Sequence, residues 1–311
     1  METNNKMNRR SALKRIGSVA LSTVVASSGL LSLTSCEKPR RRIILYFTGT
    51  GNCLYVARQL ADENTELLSI PQLVKQERYE LDADEIGVVY PIYGHMPPYM
   101  VRQFIQKARL KAQYAFAVLT YGARKCDAVE IWDGISRKAG NKFDYIATLI
   151  MVDNWLPNFD MNEQMKIDKH IPENLEKISA DIRQNKHWLE PVTEEERRNH
   201  RTFMELSGLD PEVGFLKKSE SCFAVTSDCV GCSVCVDVCP RGNYKHTSSG
   251  IRMQGDCEFC FACIQNCPQK AIRFADNSDD PLLARGEINP NARYRNEHIS
   301  LMDIKRSNSR F

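Results

Sequence analysis

Eight of the twelve cysteines fall between Cys229 and Cys267, in two matching runs. The first is Cys229-x-x-Cys232-x-x-Cys235-x-x-x-Cys239-Pro240; the second is Cys257-x-x-Cys260-x-x-Cys263-x-x-x-Cys267-Pro268. A disulfide framework spreads its pairs through a short secreted chain, so clustering at two-residue gaps points to metal instead. Three cysteines so spaced wrap one face of a cubane iron–sulfur cluster, whose four irons each need a terminal thiolate. Structural zinc, the alternative, takes four ligands, usually as two separated pairs, and has no use for a Cys-Pro after each run. Residues 228–242 and 256–270 thus form an internal repeat.

With their Cys-Pro endings the runs resemble those of bacterial-type two-cluster ferredoxins. The resemblance implies that the last cysteine of each run ligates the other cluster. One [4Fe–4S] cluster would take Cys229, Cys232, Cys235 and Cys267; the second would take Cys257, Cys260, Cys263 and Cys239. Cys222 and Cys126 read as buried thiols, and the six histidines show no ligand spacing.

Ahead of the runs the chain alternates. Apolar, β-rich stretches at 43–47, 66–70, 86–91, 115–120 and 145–152 are separated by helical patterns at 98–108, 128–139 and 172–185. Such alternation predicts a parallel sheet covered on both faces. The first strand runs into Thr48-Gly49-Thr50-Gly51-Asn52-Cys53, and helical periodicity follows with Leu54, Ala57, Leu60 and Ala61 on one face. Strand, Gly/Thr loop and helix together aim N–H groups and a positive helix end at a phosphate. Leu54 stands where a dinucleotide fingerprint needs its third glycine, and no Gly-Lys-Ser/Thr follows. A terminal monophosphate suits the loop better.

Residues 46–52 resemble the FMN phosphate loop of flavodoxins, although Cys53 stands where that family has Thr or Ser. The resemblance implies a doubly wound five-stranded parallel sheet of order 2-1-3-4-5, followed by a small α+β ferredoxin-like domain. It also implies two flavin-flanking loops: Pro91-Ile92-Tyr93-Gly94 after the third strand and Thr120-Tyr121-Gly122 after the fourth. Tyr93 and Tyr121 would lie beside the isoalloxazine ring, with Gly94 and Gly122 letting the backbone approach it.

The N-terminus reads as an address. Five basic residues precede an uncharged apolar run that ends in Leu33-Thr34-Ser35-Cys36. Residues 8–14 resemble a twin-arginine export motif and 33–36 a lipobox, which implies lipidation of Cys36 and a folded protein exported to the non-cytoplasmic side of the membrane. The net charge of +3 comes from this segment, since without residues 1–35 the chain has 37 basic and 38 acidic residues. Nucleic acid is not an expected partner.

The expected organisation is a signal peptide (1–35), a linker (36–42), a flavodoxin-like domain (43–190), a helical connector (191–220), a two-cluster domain (221–276) and a C-terminal tail (277–311). That tail either drapes over the surface and frays at 307–311 or docks on the body through Leu282-Leu283 and His298-Ile299-Ser300-Leu301-Met302. As a whole the chain resembles flavodoxin–ferredoxin fusion proteins of anaerobic bacteria and archaea. That implies an electron carrier joining two clusters to FMN and serving redox partner proteins, among them membrane redox complexes. Two other functions stay open: a flavin-dependent oxidoreductase of a small acceptor, and a flavin-free ferredoxin module.

Overall fold

The computed structural model describes residues 40–218, 222–248, 250–275 and 286–309. The proposed export segment, Cys36 and the Leu282-Leu283 pair lie outside these residues. Among the described residues no helix is long and apolar enough to cross a membrane.

Strands β1 (Arg42–Tyr46), β2 (Thr65–Ser69), β4 (Glu85–Pro91), β6 (Tyr114–Tyr121), β7 (Tyr145–Ile150) and β8 (Trp188–Leu189) form one parallel sheet in the order β2-β1-β4-β6-β7-β8. A separate small pair joins β3 (Glu80–Asp82) to β5 (Arg109–Lys111). Helices α1 (Asn52–Gln59), α2 (Ile70–Lys75), α3 (Tyr99–Lys107), α4 (Ala128–Lys138), α5 (Met161–Gln164) and α6 (Ile171–Arg183) lie between the sheet strands. Counting sheet strands alone, the order is 2-1-3-4-5 plus a sixth short edge strand, the flavodoxin-type doubly wound arrangement. β1 and β4 are buried almost throughout because each has a strand on both sides and helices over both faces. At the N-terminal strand ends Arg42 meets Glu85 at 2.6 Å, both buried, which leaves the opposite, C-terminal ends for a ligand.

Helix α7 (Glu194–Ser207) opens with the capping box Thr193/Glu196. The cysteine module follows. Its strand pairs are β9 (Lys217–Lys218) with β13 (Asp256–Cys257), β10 (Phe223–Val225) with β14 (Ile272–Phe274), and the hairpin β11 (Tyr244–Thr247) with β12 (Gly250–Met253). Helices α8 (Val234–Val238) and α9 (Ala262–Asn266) each carry the third cysteine of a run. The sequence repeat is also a backbone repeat. Gly231 and Phe259, Ser233 and Phe261, and Gly242 and Lys270 occupy equivalent positions, and all six have positive φ.

Module and sheet belong to one compact unit, Pro39–Phe311. Glu258, 3% exposed, reaches across: its Oε1 accepts from the Met100 N–H at the start of α3 (3.0 Å) and pairs with Arg241 (2.6 Å). Glu258→Ala leaves Arg241 and the helix end without their carboxylate. A loss of about 3–5 kcal/mol in unfolding free energy is expected from denaturant titration.

The C-terminal segment differs from a loose surface tail. Helix α10 (Leu301–Asn308) is capped by Ser300 and Asp303, and Ser307 and Asn308, expected in a fraying end, are buried. The Asn308 amide donates to the Thr48 and Val238 carbonyls, both at 3.0 Å, tying the first loop to the module. Arg58 pairs with Asp303 at 2.5 Å and, with Ser300, holds its carboxyl down at about 2. A depressed carboxylate contributes stability above its unfolded value and loses it as pH falls through the folded one. The difference in unfolding free energy between wild type and Asp303→Asn, read by urea titration, is therefore expected to shrink between about pH 4 and 2. Its size is about 1 kcal/mol, the scale of a partly exposed pair.

Candidate functional site

The loops after β1, β4, β6 and β7 converge at the C-terminal strand ends around a cavity of about 650 Å3. Every residue expected to bind the cofactor lines it except Gly51. A Cβ on Gly51, whose φ is +102°, would come within 3.0 Å of Asn296 and Ile299. That face of the loop is covered by the C-terminal segment.

The loop is held from several sides. Thr48 Oγ1 accepts from the Gly51 N–H (3.0 Å), Thr50 Oγ1 accepts from the Asn154 amide (2.7 Å), and Asn52 Oδ1 accepts from Tyr294 Oη (2.5 Å). The Thr48 and Thr50 hydroxyls only accept in these bonds, so their O–H groups remain as donors for an anion, together with the first N–H groups of α1, which a helix leaves without intrahelical partners. Cys53 Sγ lies 3.2 Å from Thr120 Oγ1, and burial pushes the thiol up to about 12. It acts as a small neutral packing group at the pocket base.

Gly122 makes room for a protein group: a Cβ there would stand 2.3 Å from the Asp153 carboxyl. Burial raises Asp153, and Lys169 beside it donates to the Gly122 carbonyl at 2.6 Å. Tyr93, after β4, and Tyr121, the last residue of β6, are both half-buried. Burial raises the Tyr93 hydroxyl, and Cys260, Cys53, Glu258 and Cys257 raise it further.

The other half of the pocket was not legible in the sequence. Trp155 stacks on Phe261 at 5.3 Å and contacts Phe259 and Phe215; with Phe203 of α7 these rings form an apolar wall. Phe259 and Phe261 belong to the second cysteine run and hold positive φ, a strain of about 1–3 kcal/mol each that surrounding structure must sustain. Aromatic residues between cysteine ligands were the available signal.

Two smaller cavities lie in the module. Cys229, Cys232, Cys235 and Cys267 line one, and Cys239, Cys257, Cys260 and Cys263 line the other. Each set joins three cysteines of one run to the last of the other. Burial, then Cys267 and Cys229, pushes Cys235 up to about 12; Cys263 is pushed up to about 12 by burial, then Cys239, with a smaller contribution from Cys235 of the other set. The helices that carry Cys235 and Cys263 pack against each other, so the two sets are adjacent, and four clustered thiols become thiolates together only around a cation. Donors already face the sulfurs: Tyr244 Oη to Cys263 (3.0 Å), Phe259 N to Cys257 (3.3 Å) and Ala271 N to Cys267 (3.3 Å). Among the described residues no three His, Cys, Asp or Glu side chains converge tightly enough for a single metal ion.

The fold and site define a class: a doubly wound α/β sheet with a ligand pocket at its strand ends and a cysteine module packed on that pocket. No protein-family model matches the chain, and no curated protein matches it. A flavoprotein from Lactobacillus acidophilus, solved in complex with FMN, is similar over 35% of this chain and 93% of its own, at 15% identity and a TM-score of 0.27. The Trp repressor binding protein from Bacillus subtilis is similar over 36% of this chain and 85% of its own, at 12% identity and a TM-score of 0.27. Likenesses this slight add nothing to what the strand order shows.

Proposed function

We propose that the chain is an electron-transfer iron–sulfur flavoprotein, with two [4Fe–4S] clusters in the cysteine cavities and FMN in the large pocket. When bound, the clusters carry electrons singly and the flavin collects two of them. The observation that carries the reading is a contact: Gly49 of the pocket loop lies so close to Cys260 that a Cβ would stand 2.4 Å from its carbonyl oxygen. A ligand cysteine and the phosphate loop thus share one backbone junction.

The chain's own groups fit these cofactors. Thr48, Thr50 and the start of α1 would hold the phosphate, with Tyr93 and Tyr121 beside the ring. Each cavity offers four thiols to a group of eight atoms, which is wider than a single ion. Hydroxyl and N–H groups aimed at the sulfurs stabilise thiolate charge and set potentials. Cys232 is exposed and Val230 is 66% exposed, whereas Cys260 and Cys263 are buried. The Cys229 set is therefore the side at which a redox partner protein delivers electrons, and the Cys257 set is the side that faces the pocket.

An anaerobic reductive titration tests the reading. Uptake of about four electrons per chain is expected, one per cluster and two in the pocket. Uptake of about two without a flavin spectrum supports the flavin-free module instead. The same proposal places the protein outside the cytoplasm, exported by the twin-arginine route and held near membrane redox partners by a lipid on Cys36. Cys36→Ala is expected to move it from the detergent to the aqueous phase in a partitioning assay.

A further inference from the structure

His95 lines the pocket and is 5% exposed. It sits in a tight turn in which Tyr93 and Met96 exchange backbone hydrogen bonds of 2.8 and 3.0 Å, with φ of +54° at Gly94 and +69° at His95. Two positive φ values make this a type I′ turn, whose central positions favour Gly, Asn and Asp, yet a histidine is held there. Its Nδ1 has no hydrogen-bond partner among the described residues. The ring centroid lies 5.4 Å from that of His200, with no direct hydrogen bond between them but room for one bridging water, and 4.7 Å from that of Phe203. His200 Nδ1 in turn stands 2.5 Å from Asp127 Oδ1, at the start of α4, at ion-pair distance but without hydrogen-bond geometry. Asp127, His200 and His95 therefore form a line from three elements that ends in the pocket, beside the wall of Trp155, Phe203, Phe215, Phe259 and Phe261. The groups acting on His95 are His200 and Arg124, which oppose its charge, and Asp127, which favours it; burial is the largest influence, and the group is lowered to about 4.

We propose that His95, supplied through His200 and Asp127, donates protons to an uncharged planar acceptor of the quinone class bound against this aromatic wall. The inference rests on the cluster-and-flavin reading for its electrons. The acceptor takes two electrons, supplied by a one-electron donor protein through the clusters, and two protons. Both C=O groups become C–OH and no bond to the protein forms. His95 gives up the N–H proton on one ring nitrogen while the other is reprotonated through a water held at His200, whose ring the Asp127 carboxylate faces. Solvent supplies that proton, and the second follows the same path. A donor neutral at rest leaves the apolar wall uncharged until negative charge develops beside it.

The test compares the anaerobically loaded wild type with His95→Gln and with His200→Gln, the second of which lies outside the pocket lining. A water-soluble benzoquinone is the acceptor, and ferricyanide is the one-electron control. For His95→Gln the ratio of quinone to ferricyanide turnover is expected to fall about a hundredfold, in kcat and not KM. For His200→Gln the fall is smaller and the acid limb of the pH profile shifts. Turnover ratios within twofold of wild type, or an acid limb unchanged in His200→Gln, overturn the relay while leaving the electron-transfer reading intact. Wild-type protein that carries iron but no flavin overturns both.

Discussion

Cys239→Ala is expected to abolish the cluster of the second cysteine run and spare that of the first. Cys239 belongs by sequence to the first run, but it lines a cavity with Cys257, Cys260 and Cys263. Its variant should therefore match Cys257→Ala by electron paramagnetic resonance of the reduced protein, and Cys267→Ala should match Cys229→Ala. In each case iron should drop from about eight to about four per chain. The effect is large because a cubane with one thiolate removed exposes an iron, and because the three remaining thiols of the buried set then return to their neutral form. If Cys239→Ala instead resembled Cys235→Ala, the runs would each hold their own metal and the crossing of ligands would be wrong.

The second large effect is expected at Gly49. A Cβ there meets the Cys260 carbonyl at 2.4 Å and the Cys260 Cβ at 3.3 Å. These are backbone or backbone-proximal atoms, so no flexible side chain can swing aside. Gly49→Ala should cost about 1–3 kcal/mol through overpacking and weaken FMN binding at least tenfold, because the phosphate loop and the module can no longer share their junction. Urea midpoints and FMN fluorescence titration measure the two effects. Gly134→Ala is the control. It lies within α4 with nothing within 4 Å of the added carbon, and should stabilise by about 0.5–1 kcal/mol.

These contrasts show which information the sequence carried locally. The sheet strands were readable because each is a short apolar run between loops, and β1, β4 and β6 appear within one residue or so of the expected stretches. β8 was not readable, since two residues paired to the edge of β7 leave no periodicity. The convergence of the loops after β1, β4 and β6 follows from the strand order once that order is assumed. The same rule applied to the end of β7 points to Asp153, Asn154 and Trp155, which the sequence reading left unused. Helix α7 reads as charged, Glu-Glu-Glu-Arg-Arg at its start, and none of its residues is fully buried. Its contribution of His200 and Phe203 depends on where the chain returns to the pocket, which no local pattern states. The C-terminal helix carried a visible Ser300-x-x-Asp303 cap, but its contacts with Thr48, Tyr46 and Ser69 span more than two hundred residues.

The most direct test of the central claim is the amount of iron, acid-labile sulfide and FMN per chain in protein purified and kept without oxygen. About eight irons, about eight sulfides and about one FMN are expected. Zinc on the thiols, or a chain with neither iron nor sulfide after anaerobic reconstitution, would contradict it.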